Sequence, residues 1–316
     1  MRRGIVLGVL IAAFGLSLVV AAQQQAGGGQ QAPKIIEVEK LKDNLFVLKG
    51  GGGNTAVFLT ANGVVVVDAK NPGWCQPILD KIKELTDKPI TTLINTHTHG
   101  DHVSGNVEFP ATVDIVVQEN TKTNMEKMIP NSTAQDQKVP ATTIFQANNG
   151  RGLPKRTFKD KMTLFKGSDE IDLYYFGRGH TNGDAWVVFP SLRTAHAGDI
   201  FSRKNVPLLD ANNGGSAVAI ADTLQKGLDT LKNVDTFITG HSTQMTPADL
   251  REYIAFNREF LSDARAAMKA GKTVDEVAST WKIPAKYAGY APADPNRLKN
   301  NVRLVYSESG AARSSK

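Results

Sequence analysis

Short apolar segments separated by turn residues begin at Ile35, and this pattern predicts a series of buried strands. The clearest is the four-valine segment 64–67, because it is β-branched throughout and is bounded by a glycine and an aspartate. Further strands are predicted at 45–48, 55–59, 92–94 and 114–117. Apolar positions from Ile78 to Leu85 recur at helical spacing, so a helix is expected between the strands.

The second half of the chain repeats this pattern after residues 130–160, whose prolines, glycines and asparagines predict a long surface loop. Strands are predicted at 171–175, 186–189 and 236–238, with a helix at 217–231 before the last of them. Residues 246–249 combine a capping box with a proline at the first helical position, which predicts a mainly helical C-terminal part. A second capping box, 273–276, starts a shorter helix.

Two sets of strands with helices between and after them predict an α/β (α+β) domain of two sheets covered by helices. The alternative is one open α/β sheet, because the pattern leaves the strand order open. The helical residues 246–316 are expected to pack as an extension on the same domain as residues 35–245.

The N-terminus has the pattern of a secretory signal peptide, since two arginines precede the apolar run 5–20 and two alanines follow it. We therefore expect cleavage after residue 22 and a periplasmic or secreted protein without stable membrane insertion. The alternative is an uncleaved anchor, because about 18 apolar residues can just span a bilayer. Residues 23–34 carry mainly glutamine, glycine and alanine, which predicts a flexible linker.

The amino-acid composition excludes several classes of protein and of metal site. The 316 residues are 41% hydrophobic and 22% charged, which is typical of a globular protein. The formal net charge is +6 with no run of five like charges, so nucleic acid is not an expected partner. The single cysteine, Cys75, excludes an internal disulfide and a cysteine-based zinc site. A metal site would have to use the six histidines together with carboxylates.

Three of the six histidines and an aspartate fall within six consecutive positions, directly after the predicted strand 92–94. They are His97, His99, Asp101 and His102. The first two histidines, two residues apart in an extended segment, point the same way, as one tetrahedral metal site requires. Asp101 and His102 continue round the turn and can face a second metal.

Three more potential ligands, His180, Asp199 and His241, each follow a predicted strand and a glycine. Glycine lets the backbone turn sharply and approach a metal without a clash from Cβ. Any one of the three alone would be an ordinary polar residue at a strand end. Together they raise the number of candidate metal ligands to seven.

This set resembles the metallo-β-lactamase superfamily, whose members carry His-x-His-x-Asp-His, then a distant His, an Asp or Cys, and a last His. The resemblance covers about residues 35 to 245 and implies an αββα sandwich with two zinc ions at one end of its sheets. It implies that the first zinc is held by His97, His99 and His180, the second by Asp101, His102 and His241, and that Asp199 bridges them. Asp68 matches an upstream Asp that supports the ligand loop through hydrogen bonds.

The resemblance also implies a hydrolase that uses a metal-bound hydroxide on a small-molecule ester, thioester, lactone or lactam. Asp101 is the candidate for passing a proton to the leaving group. One alternative is a mononuclear iron persulfide dioxygenase on the same fold, because two histidines and one aspartate can hold iron.

The other alternative is a β-lactamase proper. In one subclass a lysine three residues after the bridging position pairs with the drug's carboxylate, and here that position is Ser202. Arg203 and Lys204 follow it and are candidate substrate-binding residues, since either cation could pair with a carboxylate at the rim of the site. The sequence therefore favours activated esters, thioesters or lactones over β-lactams.

Overall fold

The computed structural model describes residues 34–134 and 137–314. The predicted signal peptide and the predicted linker up to residue 33 lie outside the described residues. Within those two described ranges, the helices are all too short or too polar to cross a membrane.

The first sheet has seven strands, which lie side by side in the order in which they occur along the chain. They are β1 (Glu37–Lys42), β2 (Leu45–Lys49), β3 (Thr55–Leu59), β4 (Val64–Val67), β5 (Ile90–Ile94), β6 (Asp114–Gln118) and β7 (Arg156–Phe158). The first four strands are antiparallel, whereas β4 to β7 run parallel. The carboxyl ends of β4 and β5 therefore meet at one edge of the sheet.

The second sheet has five strands. They are β8 (Lys161–Leu164), β9 (Ile171–Tyr175), β10 (Ala185–Phe189), β11 (Thr194–Gly198) and β12 (Thr236–Thr239), paired in the order β12-β11-β10-β9-β8. The β11–β12 pair is parallel, so the carboxyl ends of these two strands also lie together.

Eight α-helices lie in the described ranges. They are α1 (Cys75–Leu85), α2 (Gly100–Val103), α3 (Glu119–Met125), α4 (Ile144–Ala147), α5 (Ile220–Thr230), α6 (Pro247–Lys269), α7 (Val274–Thr280) and α8 (Pro295–Ser314). The helix predicted at 217–231 thus begins at Ile220, and both predicted C-terminal capping boxes are present, at Thr246 and Thr273.

Strand alternation builds the layers. In β4, Val65 and Val67 face the second sheet, whereas Val64 and Val66 pack against α1. In β10, Val187 joins the core between the sheets and neighbouring residues pack against the C-terminal helices. The result is the predicted αββα sandwich, and the single open sheet does not occur.

Helices α6 and α8 cover the outer face of the second sheet. Tyr253 and Phe260 of α6 and Val302 of α8 are buried in one cluster with Trp186 of β10. The outer surface of β10 would otherwise expose this indole, so the C-terminal helices complete the fourth layer.

The loop predicted at 130–160 is wrong in part, because this segment contains α4 and β7. A capping box formed by Thr143 and Gln146 starts α4, a sequence signal that the loop prediction did not use. Strand β7 extends the parallel sheet, and the Arg156 guanidinium pairs with Asp114 of β6 at 2.7 Å.

Candidate metal centre

The histidine-rich loop begins where β5 ends, beside the end of the parallel strand β4. Asp68, directly after β4, is fully buried and holds this loop. Its Oδ1 accepts a hydrogen bond from the Thr96 backbone N–H at 2.8 Å, and its Oδ2 accepts one from the Thr96 hydroxyl at 2.8 Å. His102 Nδ1 lies 2.7 Å from the same Oδ2. Asp68 therefore contacts both ends of the loop, at Thr96 and at His102.

The predicted ligands lie in two groups, within each of which the candidate ligand atoms are within 4.8 Å of one another. The first group is His97, His99, His180 and Asp199, and the second is Asp101, His102 and His241. Residues 96–98 form a bend rather than the extended segment that we expected, yet the two histidine rings still meet, with centroids 4.8 Å apart.

Asp199 lies between the two groups. Its Oδ2 is 3.2 Å from His241 Nε2, and its Oδ1 is 3.4 Å from His102 Nε2. Since Asp199 also belongs to the first group, this is the place that a bridging carboxylate would occupy.

Hydrogen bonds fix which nitrogen of each buried ring carries the proton. His99 Nε2 lies 2.8 Å from Asp210 Oδ2, and His180 Nδ1 lies 2.6 Å from the Leu208 carbonyl oxygen. A carbonyl or carboxylate oxygen only accepts, so each of these nitrogens donates. The other nitrogen of each ring, His99 Nδ1 or His180 Nε2, therefore presents a lone pair.

The same reasoning applies to His97 and His102. The Thr96 hydroxyl uses its one proton on Asp68, so at 2.9 Å it accepts from His97 Nδ1. His102 Nδ1 donates to Asp68. The Nε2 atoms of both rings then face the cluster, where His97 Nε2 presents a lone pair and His102 Nε2 can bind a metal ion that replaces its second proton.

These lone pairs fit metal ions. His97 Nε2 and Asp199 Oδ1 are buried without a hydrogen-bond partner in the described part of the chain. His99 Nδ1 and His180 Nε2 face each other at 3.0 Å, lone pair to lone pair. A buried acceptor without a donor costs about 1–3 kcal/mol, and a shared cation removes this penalty. Imidazole nitrogen together with carboxylate oxygen is a ligand set that suits zinc.

The charges of the second group also favour a cation. Burial alone would lower the pKa of His102, but nearby carboxylates, first among them Asp101, raise it to about 9. Burial likewise opposes a raised pKa at His241, and Asp199 and Asp101 overcome it to give about 10. In the first group burial and neighbouring histidines lower the pKa of His97 well below its usual value, so this ring is a neutral ligand.

Two glycines allow the strand ends to come this close. Gly198, which precedes Asp199, has a φ of +54°, in the left-handed region that favours glycine. At Gly240 a Cβ would overlap the Asp199 carboxylate. The glycine predicted to matter beside His241 therefore makes room for the neighbouring strand's ligand.

Comparison with known proteins identifies the family. The model of the family described as the metallo-beta-lactamase superfamily matches residues 48–247. The chain belongs to the metallo-beta-lactamase superfamily. The matched range contains all seven candidate ligands and ends at Pro247, the first residue of α6.

Two relatives in this superfamily each match about half of this chain, at 31% and 26% identity. The metallo-beta-lactamase type 2 of Elizabethkingia meningoseptica is 31% identical over 177 residues, which are 51% of this chain and 60% of that protein. A hydroxyacylglutathione hydrolase of Nostoc punctiforme is 26% identical over 171 residues, 53% of this chain and 52% of that protein. The chain thus covers less than two thirds of either relative.

Among solved structures, the stereoselective inverting sec-alkylsulfatase Pisa1 from Pseudomonas sp. superposes with a TM-score of 0.63 at 17% identity. The superposition covers 87% of this chain and 50% of that one. At this identity the likeness shows the shared fold alone.

Other residues support the metallo-beta-lactamase site without any motif that marks them. Asp210 orients His99, and its only sequence signal is a turn-like run of aspartate, asparagine and glycine.

Lys70 is fully buried, with its amine donating to the Leu48 and Gly53 carbonyls at 2.9 and 2.8 Å. Burial lowers the pKa of Lys70 to about 7. Since Gly53 packs against the His102 ring, Lys70 holds the glycine-rich β2–β3 loop over the site.

A cavity of about 650 Å³ lies beside the two ligand groups and is lined in part by Asp101, Asp199 and His241. Of the two cations predicted to bind substrate, Arg203 lines the cavity and Lys204 does not. The Lys204 amine instead pairs with Asp249 at 2.8 Å and with Glu252 at 3.1 Å. The structure therefore separates the two neighbouring cations, and Lys204 stabilises the start of α6.

Proposed function

We propose that the protein is a dinuclear zinc hydrolase of small-molecule esters, thioesters or lactones. The observation that carries this proposal is the set of buried histidines whose outer nitrogens are all hydrogen-bonded to oxygen, so that their lone pairs converge. We assign His97, His99 and His180 to one zinc and Asp101, His102 and His241 to the other. Asp199 is assigned to both.

Zinc bound at these residues would lower the pKa of a coordinated water towards 7 and polarise the bond under attack. A side chain of the protein would carry the proton that the leaving group needs. Asp101 is the ligand-group carboxylate whose side chain is about one third exposed and lines the cavity, 3.2 Å from His241. It is therefore placed to take a proton at the cavity wall and pass it to the leaving group.

The complete second group supports two metals over the mononuclear iron dioxygenase, which needs only one set of ligands. One relative is a hydroxyacylglutathione hydrolase, which supports thioesters as a substrate class. Another relative is a metallo-beta-lactamase, but a serine stands three residues after Asp199, where one subclass of β-lactamases carries the lysine that pairs with the drug's carboxylate. We therefore rank β-lactams below esters and thioesters.

Elemental analysis of the purified protein tests the metal, with about two zinc per chain expected. One iron per chain would replace this proposal by the dioxygenase. For the reaction, kcat/KM for para-nitrophenyl acetate and S-lactoylglutathione should exceed that for benzylpenicillin. Faster turnover of penicillin than of both other substrates would overturn the ranking.

The role of Asp101 is tested by Asp101→Asn, which keeps the shape of the side chain and removes its ability to carry a proton. We expect kcat to fall by about 10²- to 10⁴-fold, the usual contribution of general acid–base catalysis. Asp43→Asn changes a fully exposed aspartate far from the site and is the matched control. Zinc content is measured for both variants, so that a lost ligand is distinguished from a lost proton carrier.

A further inference from the structure

Apart from the candidate metal ligands, the charged side chains that line the cavity in the described ranges are all positive. They are Lys138, Arg203 and Arg297. The two lining carboxylates, Asp101 and Asp199, belong to the ligand groups. A substrate bound here would therefore meet positive charge on the wall that does not hold metal.

Arg297 comes from α8, outside the range matched by the family model. Its Nη1 lies 3.3 Å from the Val206 carbonyl oxygen, and 2.8 Å from the Asn205 side-chain oxygen when that amide is oriented to accept. Both partners are neutral. Arg297 is thus held in place while its charge is left uncompensated.

The two cavity arginines differ from Lys204 in this respect. Within residues 34–134 and 137–314, no carboxylate oxygen lies within 4.0 Å of the Arg203 or Arg297 guanidinium, whereas Lys204 has two acidic partners. An arginine paired with an acid in the same protein would present no net charge to a ligand. These two remain available to an anion.

The backbone that carries the cavity wall is fixed to α8. Asn300 donates through Nδ2 to the Leu209 carbonyl at 2.8 Å, and Asn301 donates to the Pro207 carbonyl at 2.8 Å. Both asparagines are buried. Arg297 and the segment 205–209 therefore form one rigid unit, so the guanidinium needs little reordering when a ligand binds.

The remainder of the cavity lining includes an apolar surface. Met128, Ile129, Pro130 and Ile144 contribute to it. An ester with an apolar body and an acidic group would match both kinds of surface.

We propose that Arg297 and Arg203 bind a carboxylate of the substrate, so that the enzyme acts on esters that are partly apolar and anionic. This inference rests on the proposed hydrolase function, and it makes Arg297 a specificity-determining residue contributed by the C-terminal helices. The planar guanidinium fork matches a carboxylate through two parallel hydrogen bonds, which a lysine amine cannot reproduce.

Kinetics on a pair of esters tests the site. The pair is para-acetoxybenzoate, which is anionic, and its neutral methyl ester. We expect Arg297→Met to raise KM for the anion at least about tenfold to a hundredfold, since a single charge-assisted hydrogen bond already contributes this much, with kcat nearly unchanged. KM for the neutral ester should stay at the wild-type value. Equal effects on both esters, or none on the anion, would overturn the assignment.

Arg303→Met is the matched control, because Arg303 is exposed on the same helix and is not a cavity residue. It should leave both KM values unchanged. Arg297→Lys should recover part of the loss, since the charge remains and the fork does not. Arg203→Met changes an exposed side chain, and it should likewise raise KM for the anion and leave KM for the neutral ester unchanged.

A binding measurement separates this inference from the proposed reaction. Calorimetry of isophthalate, which cannot be hydrolysed, with metal-free protein should show weaker binding for Arg297→Met than for wild type and Arg303→Met. Equal binding by all three would refute the carboxylate site. If wild type hydrolyses neither ester while the binding difference persists, the hydrolase proposal fails and the carboxylate site stands.

Discussion

Asp210 Oδ2 lies 2.8 Å from His99 Nε2, although the two residues are 111 positions apart in the chain. The carboxylate is itself fixed, because its Oδ1 accepts from the Ser132 backbone N–H at 2.9 Å and its Oδ2 accepts from Asn213 Nδ2 at 2.6 Å. The loop between β11 and α5, which carries Asp210, thus sets the tautomer and the orientation of His99, a candidate ligand that follows β5 of the first sheet. Such outer partners of metal-bound histidines affect metal affinity strongly.

Asp210→Ala should therefore weaken the first metal site. We expect a loss in zinc affinity of about 10- to 100-fold, measured by competition with a chromophoric chelator. Asp210→Asn keeps an oxygen that can accept from His99 and should lose less. Asp222→Ala, at an exposed position on α5, is the control. Unchanged affinity in Asp210→Ala would show that the contact does not support the ligand.

His241→Ala tests the division of the ligands. His241 belongs to the second group alone, so its loss should empty chiefly that site and leave close to one zinc per chain by elemental analysis. His97→Ala should reduce the other site in the same way. If either substitution emptied both sites equally, the assignment of ligands to two separate ions would be wrong.

Phe189→Ala tests the core between the sheets. Phe189 is fully buried, and its ring centroid is 5.0 Å from that of Phe58 on the opposite sheet. Removing the ring should lower the free energy of unfolding by about 3–5 kcal/mol in urea denaturation, because a cavity remains where both sheets meet. Val38→Ala, on the exposed edge strand, should change it by less than about 0.5 kcal/mol. Similar values for the two variants would contradict the described packing.

Export is a separate prediction, since it concerns residues before the described part of the chain. Intact-mass analysis of protein recovered from the producing cells should give a chain that begins at Gln23. A chain that retains Met1 and fractionates with the membrane would indicate the uncleaved anchor instead.

The sequence was sufficient for those parts of the site that strand ends determine. His97 to His102 follow β5, and Asp199 and His241 follow the parallel strands β11 and β12, so the topology gathers them at one end of the sandwich. Continuous apolar runs likewise predicted most of the strands, because strands such as β4 and β10 are buried along their whole length and so take apolar residues at successive positions.

The parts that could not be predicted depend on tertiary contacts. Arg203 and Lys204 are adjacent in sequence, yet one lines the cavity and the other pairs with acids on α6. Only the docking of α6 and α8 decides this. Arg297 and Asp210 reach the site in the same way, through packing between distant segments, and no local pattern marks them.

The ligand groups also determine when metal can be acquired. Each group joins residues that follow a strand of the first sheet, such as His97 and Asp101 after β5, to residues that follow a strand of the second, such as His180 after β9 and His241 after β12. Neither group is complete before the two sheets have docked, so capture of the proposed zinc ions would come late in folding and could not nucleate it. If the predicted signal peptide directs the chain across a membrane unfolded, the protein would leave the cytoplasm without metal. Its zinc content would then depend on the zinc concentration outside the cytoplasm and not on the concentration inside it.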